Sequence, residues 1–142
     1  VGDWLWKLEA IHRSGQEEGY FAATGGFEYT YVGVAESDAD LGVLVELMYD
    51  DRGDAATTPF NQDVFFGLRW VANDVPGSEV LGGIVVDWEN GGRFYNLEAS
   101  RRLGNAWKAS VQMRAWSNID PTDPVYAFRK DDYIEARLIR YF

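Results

Sequence analysis

The sequence contains no cysteine, one histidine and four prolines. Without cysteine there is no disulfide framework and no thiolate metal site. No stretch reaches the roughly 18 continuous apolar residues of a membrane helix. The net charge of -10 argues against a nucleic-acid partner, because phosphate binding needs clustered lysine and arginine. Aromatic residues, at 15%, are the abundant feature, and a mean hydropathy of -0.30 does not exclude a membrane barrel, where only alternate residues meet lipid.

Segments with a period of two residues, rich in aromatic and β-branched side chains, alternate with glycine-rich polar clusters. This is the pattern of β-strands joined by turns. It predicts eight strands over residues 3–13, 20–33, 40–50, 63–73, 79–89, 93–103, 106–117 and 132–142. The spacing is typical of an up-and-down antiparallel barrel, and no helix is predicted. Residues 1–142 are expected to form a single domain.

Charged and apolar residues fall into opposite phases of these strands, so they lie on opposite faces. In the first strand, Trp4, Trp6 and Leu8 oppose Lys7 and Glu9. The charged phase mixes both signs, so its members can neutralise one another in a confined interior, where an unpaired charge is costly. The predicted interior charge network comprises Lys7, Glu9, Glu28, Glu46, Arg69, Asp87, Glu98, Arg102, Lys108, Arg114, Glu135 and Arg137.

Aromatic residues of the apolar phase concentrate at the two ends of the predicted strands. One end collects Trp4, Trp6, Tyr29, Tyr31, Trp70, Trp107 and Phe142, and the other collects Phe21, Tyr49, Trp88 and Tyr95. An apolar band between two aromatic girdles is the outer surface of a membrane barrel. A soluble barrel, with its apolar phase inward, has no reason to place tryptophan and tyrosine at both rims. The prediction is therefore an all-β, eight-stranded antiparallel up-and-down transmembrane β-barrel with a charged, largely plugged interior.

The last strand ends in Arg140-Tyr141-Phe142, with Leu138, Ala136 and Ile134 alternating behind the final Phe. This resembles the C-terminal assembly signal of bacterial outer-membrane β-barrel proteins, carried here by Leu138 and Phe142, although Arg140 departs from the usual apolar residue. The resemblance implies a location in the bacterial outer membrane. It also implies recognition of the C-terminal strand by the outer-membrane assembly machinery.

Three further segments resemble the C-terminal strands of larger, uncharacterised proteobacterial outer-membrane proteins. They are Gly26-Phe27-Glu28-Tyr29-Thr30, Tyr49-Asp50-Asp51-Arg52-Gly53-Asp54 and Leu97-Glu98-Ala99-Ser100-Arg101-Arg102-Leu103-Gly104. By this resemblance the chain is an excised or redesigned piece of a wider barrel.

The predicted role is structural, as a scaffold without catalysis, because an eight-stranded barrel holds side chains and little else. No cofactor or metal is expected. The expected partners are membrane lipid and, at the acidic loops, lipopolysaccharide, with no nucleic acid and a monomeric state. A narrow, porin-like channel is the first alternative.

Two further alternatives rest on short motifs. Gly2-Asp3-Trp4 and Asp131-Asp132-Tyr133 resemble motifs of the lipocalins, soluble ligand-binding barrels, but no C-terminal helix follows the last strand. His12 and Ser14 form a His-x-Ser pair, and lipid A deacylases of similar size use a His, a Ser and an acid.

Divalent cations are candidate ligands of the acidic loops, because hard cations prefer oxygen ligands. The candidates are Asp50, Asp51 and Asp54, or Asp120 and Asp123. Solvated loop charge is the favoured interpretation.

Overall fold

The computed structural model describes residues 4–15 and 19–142, which form one antiparallel sheet of eight strands. The strands are β1 (Trp4–Arg13), β2 (Tyr20–Tyr31), β3 (Asp40–Asp50), β4 (Gln62–Val71), β5 (Glu79–Asp87), β6 (Arg93–Leu103), β7 (Trp107–Ser117) and β8 (Tyr133–Arg140). Each strand pairs with its neighbours in chain order. The all-β, up-and-down prediction is confirmed.

Strand length distinguishes this sheet from an ordinary globular one. The strands run from 8 residues in β8 to 12 in β2, whereas strands of globular proteins are mostly about 5–6 residues long. Three short 3-10 helices, Val34–Glu36, Gly53–Ala55 and Pro124–Phe128, lie in the connections, and the strand pattern does not predict them. Within the described ranges, no helix is long and apolar enough to cross a membrane.

The two ends of the strands form two edges of the sheet, which we name by what lies there. The terminal edge is where β1 begins and β8 ends, and it carries the tight turns around Gly77 and Gly104, whose φ angles are 64° and 63°. Such positive φ values favour glycine. The loop edge is the opposite end, and it carries the long connections 51–61 and 118–132. Among the described residues β1 and β8 do not pair, so the sheet is open; closure into a barrel stays a prediction.

The sheet has almost no buried apolar core. Of the apolar side chains in the described part of the chain, only Ala39 is buried, while the polar residues Asp50, Asp63, Ser78 and Asp87 are buried. A globular domain of this size normally stabilises itself by burying apolar side chains between two layers. This chain leaves its large apolar side chains on the surface.

Candidate functional site

One face of the sheet is apolar from β1 to β8, with side chains that are exposed or half-buried; we call it the apolar face. Trp6 and Leu8 on β1 are 72% and 79% exposed, Leu47 on β3 is 54% exposed, and Leu138 on β8 is 60% exposed. The strand register aligns Leu8 with Gly25, Leu47 and Val64, so these apolar positions form continuous rows. A soluble monomer rarely exposes a contiguous apolar surface of this extent.

Aromatic side chains of the apolar face lie near both ends of the strands. At the terminal edge, the ring centres of Trp4 and Tyr29 are 4.6 Å apart and those of Tyr29 and Tyr31 are 4.4 Å apart. Trp70 shares a row with Leu41 and Tyr31. Trp6 stacks on Trp4, and Trp107 begins β7 at this edge.

The loop edge carries the second aromatic group. The ring centres of Phe21 and Tyr49 are 6.5 Å apart. Trp88 follows β5 and donates its Nε1 hydrogen to Gln62 Oε1 at 3.2 Å. Tyr95 lies on β6, with its hydroxyl 3.4 Å from Ser117 Oγ. The structure thus brings the sequence-predicted aromatic residues to the ends for which they were predicted.

The opposite face, which we call the polar face, brings part of the predicted charge network together. Lys7 Nζ lies 3.9 Å from Glu28 Oε2 and 3.5 Å from Glu46 Oε1. Gly26 pairs with both Lys7 and Glu46, and a Cβ there would meet Val45 O at 2.2 Å. The absent side chain therefore lets the β1 and β3 charges meet across β2.

The β6 to β8 part of the network is paired less completely. Arg137 forms an ion pair with Glu135, and Gln112 Nε2 donates to Glu98 Oε1 at 3.1 Å. The guanidinium of Arg114 lies 6.0 Å from the centre of the Tyr133 ring. Within 4–15 and 19–142, the following network members form no ion pair within 4.0 Å: Glu9, Arg69, Asp87, Glu98, Arg102, Lys108 and Arg114.

A cavity of about 550 Å³ lies on the polar face of β4 to β8. Five predicted network residues line it, namely Arg69, Glu98, Lys108, Glu135 and Arg137. The cavity wall therefore mixes both signs of charge.

The loop-edge half of the polar face carries an aromatic cluster that the charge pattern did not predict. The ring centres of Phe94 and Trp116 are 4.3 Å apart, and Phe128 of the third 3-10 helix lies 6.3 Å from Trp116. A gap of only about 20 Å³ separates these strands from the loop residues Phe60 and Ile119. The connections thus pack onto the polar face. The sequence does carry a signal for this cluster, because aromatic residues occur in the charged phase of these strands.

Phe65 lies flat over two glycines of the polar face. A Cβ at Gly67 would come within 2.7 Å of the Phe65 ring, and one at Gly83 within 2.5 Å. Covering strand glycines with an aromatic ring is a known way of stabilising curved sheets. The polar face therefore also holds a side chain that packs closely against neighbouring strands.

Two buried carboxylates face each other near the loop edge. Asp63 and Asp87 are paired across β4 and β5 and are 4% and 8% exposed. Asp63 accepts a hydrogen bond from the backbone N–H of Gln62, and Asp87 accepts from those of Glu89 and Asn90. Like charges directly opposite each other destabilise a strand pair.

Acidic side chains proposed as cation ligands are used within the loops. Asp50 binds the guanidinium of Arg52 through both oxygens, at 2.6 and 2.9 Å. Asp51 accepts from the backbone N–H of Phe21 at 3.0 Å, and Asp120 accepts from Thr122. The side chain of Asp54 lies outside the described part. No group of three His, Cys, Asp or Glu residues that could hold a metal ion occurs among the residues described.

The remaining predicted motifs occupy separate places. His12 lies on β1 opposite Phe21, and Ser14 follows that strand; no hydrogen bond joins the two in the described ranges. Gly2 and Asp3 of the lipocalin-like motif lie outside the described residues. Asp132 of the second motif accepts a hydrogen bond from the backbone N–H of Trp116 at 2.8 Å.

Two arginines interrupt the apolar face at the terminal edge. Arg140 lies with its guanidinium 5.6 Å from the centre of the Trp107 ring and 4.9 Å from that of Phe142. Arg101 on β6 pairs with Ala109 on β7. Both arginines are exposed. The predicted assembly signal, Leu138 and Phe142, lies on this same face beside Arg140.

Comparison with models of protein families, with curated proteins and with solved structures finds no match for this chain. We therefore infer its function from the two faces of the sheet. The apolar face could contact an apolar environment, whereas the polar face carries charged side chains.

Proposed function

We propose that this protein is an integral β-barrel of the bacterial outer membrane, with its apolar face toward lipid and its polar face inward, and with a structural role that needs no catalysis. The observation that carries the proposal is the exposed apolar face from β1 to β8, in a described chain whose only buried apolar residue is Ala39. Apolar surface left in water costs about 25 cal/mol per Å² relative to burial. Contact with lipid removes that cost.

Strand length supports the same proposal. A transmembrane strand needs about 9–11 tilted residues, and β1, β3, β4, β6 and β7 have 10 or 11. Aromatic residues at both strand ends would lie at the two lipid interfaces.

The packing of the polar face supports its assignment to the interior. Phe65 covers Gly67 and Gly83, and Lys7 reaches Glu46 across Gly26. The interior of an eight-stranded barrel is just wide enough for side chains, so small residues must alternate with large ones there. A soluble lipocalin-like barrel would instead crowd its apolar face and leave the polar face in water.

Pairing of β8 with β1 would close the sheet, and we infer a register for it by adding an assumed shear to the seven observed pairings. Following the paired residues from Trp4 across the sheet leads to Tyr29, Val43, Leu68, Gly82, Leu97, Met113 and Ile134. A shear of about 8, the value of the eight-stranded TIM barrel, would pair Ile134 with His12. All of β1 then lies opposite residues 133–142, and Glu9 faces Arg137.

Double-cysteine cross-linking tests closure in a chain that lacks native cysteine. The register predicts that Leu8→Cys and Leu138→Cys form an intramolecular disulfide in detergent micelles. Leu8→Cys with Leu97→Cys is the matched control, because Leu97 lies on β6. A disulfide only between two copies, or none, contradicts closure.

Membrane insertion is tested separately, in liposomes that contain lipids brominated along their acyl chains. We expect these lipids to quench the emission of Trp6, because Trp6 lies on the apolar face. The quenched part of the total tryptophan emission should therefore be smaller in Trp6→Phe than in the parent protein. A chain that remains monodisperse in plain buffer and is not quenched would contradict the proposal.

The second candidate function is a narrow channel, favoured by the charged cavity of about 550 Å³. The aromatic cluster of Phe94, Trp116 and Phe128 obstructs the same face at the loop edge. We therefore expect no steady unitary current in planar bilayers. A reproducible conductance would favour the channel over the scaffold.

A further inference from the structure

We propose that the apolar face binds one phospholipid at the terminal edge of β4 to β8, with an acyl chain in a groove and the phosphate at Arg101 and Arg140. This inference rests on the proposed membrane function, since it places the lipid on the membrane-facing surface. It assigns a specific lipid-binding site to one part of that surface.

The groove is formed by small side chains between larger ones. It has a volume of about 380 Å³, within the size range of ligand sites, and its lining includes Trp70, Val80, Ala99, Ala109 and Val111. The register places Trp70, Val80, Ala99 and Val111 in one row. The two alanines are flanked by bulkier neighbours, which makes a depression in the face. An acyl chain fits this apolar lining.

Arg101 is one of the residues that line the groove, and it supplies the charge that complements a phosphate. Arg140 lies two strands across and two residues along from Arg101, roughly 12 Å away, and both side chains are long enough to approach one headgroup. Neither forms an ion pair within 4.0 Å in the part of the chain described. Arginine binds phosphate oxygens through two parallel hydrogen bonds, and Trp107 beside Arg140 is suited to the interface.

Local charge favours an anion here although the whole chain is acidic. Arg101 and Arg140 both lie on the apolar face at this edge, and the hairpin from Arg101 to Lys108 contains no acid. Two acids also line the groove. Glu79 accepts a hydrogen bond from the hydroxyl of Ser100 at 2.9 Å, and the second acid is Asp74. Its oxygens accept hydrogen bonds from the backbone N–H and the hydroxyl of Ser78, both at 2.7 Å. The negative charge of Asp74 therefore weakens the binding of a phosphate at this edge but does not prevent it.

Native mass spectrometry of the full chain in non-ionic detergent tests the site. The probes are dioleoylphosphatidylglycerol, dioleoylglycerol and glycerol 3-phosphate. We expect only the first to be retained as one bound molecule, because it alone has both the chain and the phosphate. Each arginine near a lipid headgroup contributes about fivefold, so Arg101→Gln with Arg140→Gln should weaken binding about 25-fold.

Arg93→Gln is the matched control, since Arg93 lies on the same strand and face as Arg101 but at the loop edge. The affinity of this variant for the phospholipid should equal that of the parent protein. Asp74→Asn should strengthen binding. Equal retention of dioleoylglycerol, equal retention of glycerol 3-phosphate, or equal weakening by Arg93→Gln would each overturn the inference. Quenching by brominated lipid with no selective retention would refute this site alone. Absence of quenching would refute the proposed function itself.

Discussion

Leu47→Arg separates a lipid-facing surface from a water-facing one. Leu47 lies on the apolar face of β3, opposite Gly25 and Val64, and is 54% exposed. On a surface in water, replacing so exposed a leucine changes stability by no more than about 0.5 kcal/mol. In lipid, an arginine at the bilayer midplane of a barrel costs about 2–4 kcal/mol, and about 0–1 kcal/mol near the interface.

Depth within the membrane sets the expected size of the effect. Val45 is the central residue of β3 (Asp40–Asp50). Leu47 is two residues from it, about 7 Å along the strand and about 5 Å in depth at a tilt near 45°. Leu41 is four residues away, about 10 Å in depth, close to the edge of an apolar band about 25 Å tall. We expect Leu47→Arg to cost about 2–3 kcal/mol and Leu41→Arg less than about 1 kcal/mol.

The assay is reversible unfolding by guanidinium in liposomes, followed by tryptophan emission. The two variants carry the same added charge on the same strand and face, so their difference reports depth. Changes within about 0.5 kcal/mol for both variants would refute the assignment of the apolar face to lipid.

Three further predictions use the same unfolding assay. Gly26→Ala should cost about 1–3 kcal/mol, because its Cβ would meet Val45 O at 2.2 Å, whereas Gly25→Ala, with Leu8 Cδ1 at 3.4 Å, should cost less; equal losses would argue against the tight approach at Gly26. Asp63→Asn should stabilise the protein by up to about 1 kcal/mol by removing one of two facing carboxylates, with exposed Asp38→Asn as control; a loss would show that the charge of Asp63 is needed. Hydrogen bonds from Ser78 lower the pKa of Asp74, so its stabilising effect should be present above pH 3.8 and fade as the pH falls through its lower folded-state value. The difference in unfolding free energy between the parent and Asp74→Asn should therefore shrink in acid, and a difference that grows would contradict the reasoning.

Local periodicity was sufficient to predict the strands. The alternation of Trp4, Trp6 and Leu8 with Lys7 and Glu9 depends only on neighbouring residues, because side chains of a strand alternate between faces whatever the strand pairs with. The same argument predicted the aromatic residues at both ends. Predicted and observed strand bounds differ by at most two residues.

Contacts between strands could not be predicted in this way, because they depend on register. Lys7 meets Glu46 only because Gly26 lies between them, and Phe65 covers Gly83 on the next strand. The aromatic cluster was missed because Phe94 and Trp116 stand in the charged phase and Phe128 belongs to a loop.

The sequence by itself determined eight strands, their two faces and the chemistry of each face, since these follow from a local period of two. The tertiary structure decided which charges meet, where the connections pack onto the polar face, and that Arg101 lines a groove together with Trp70 and Ala109. These features join residues far apart in the chain, and their positions depend on how seven strand pairings add up across the sheet.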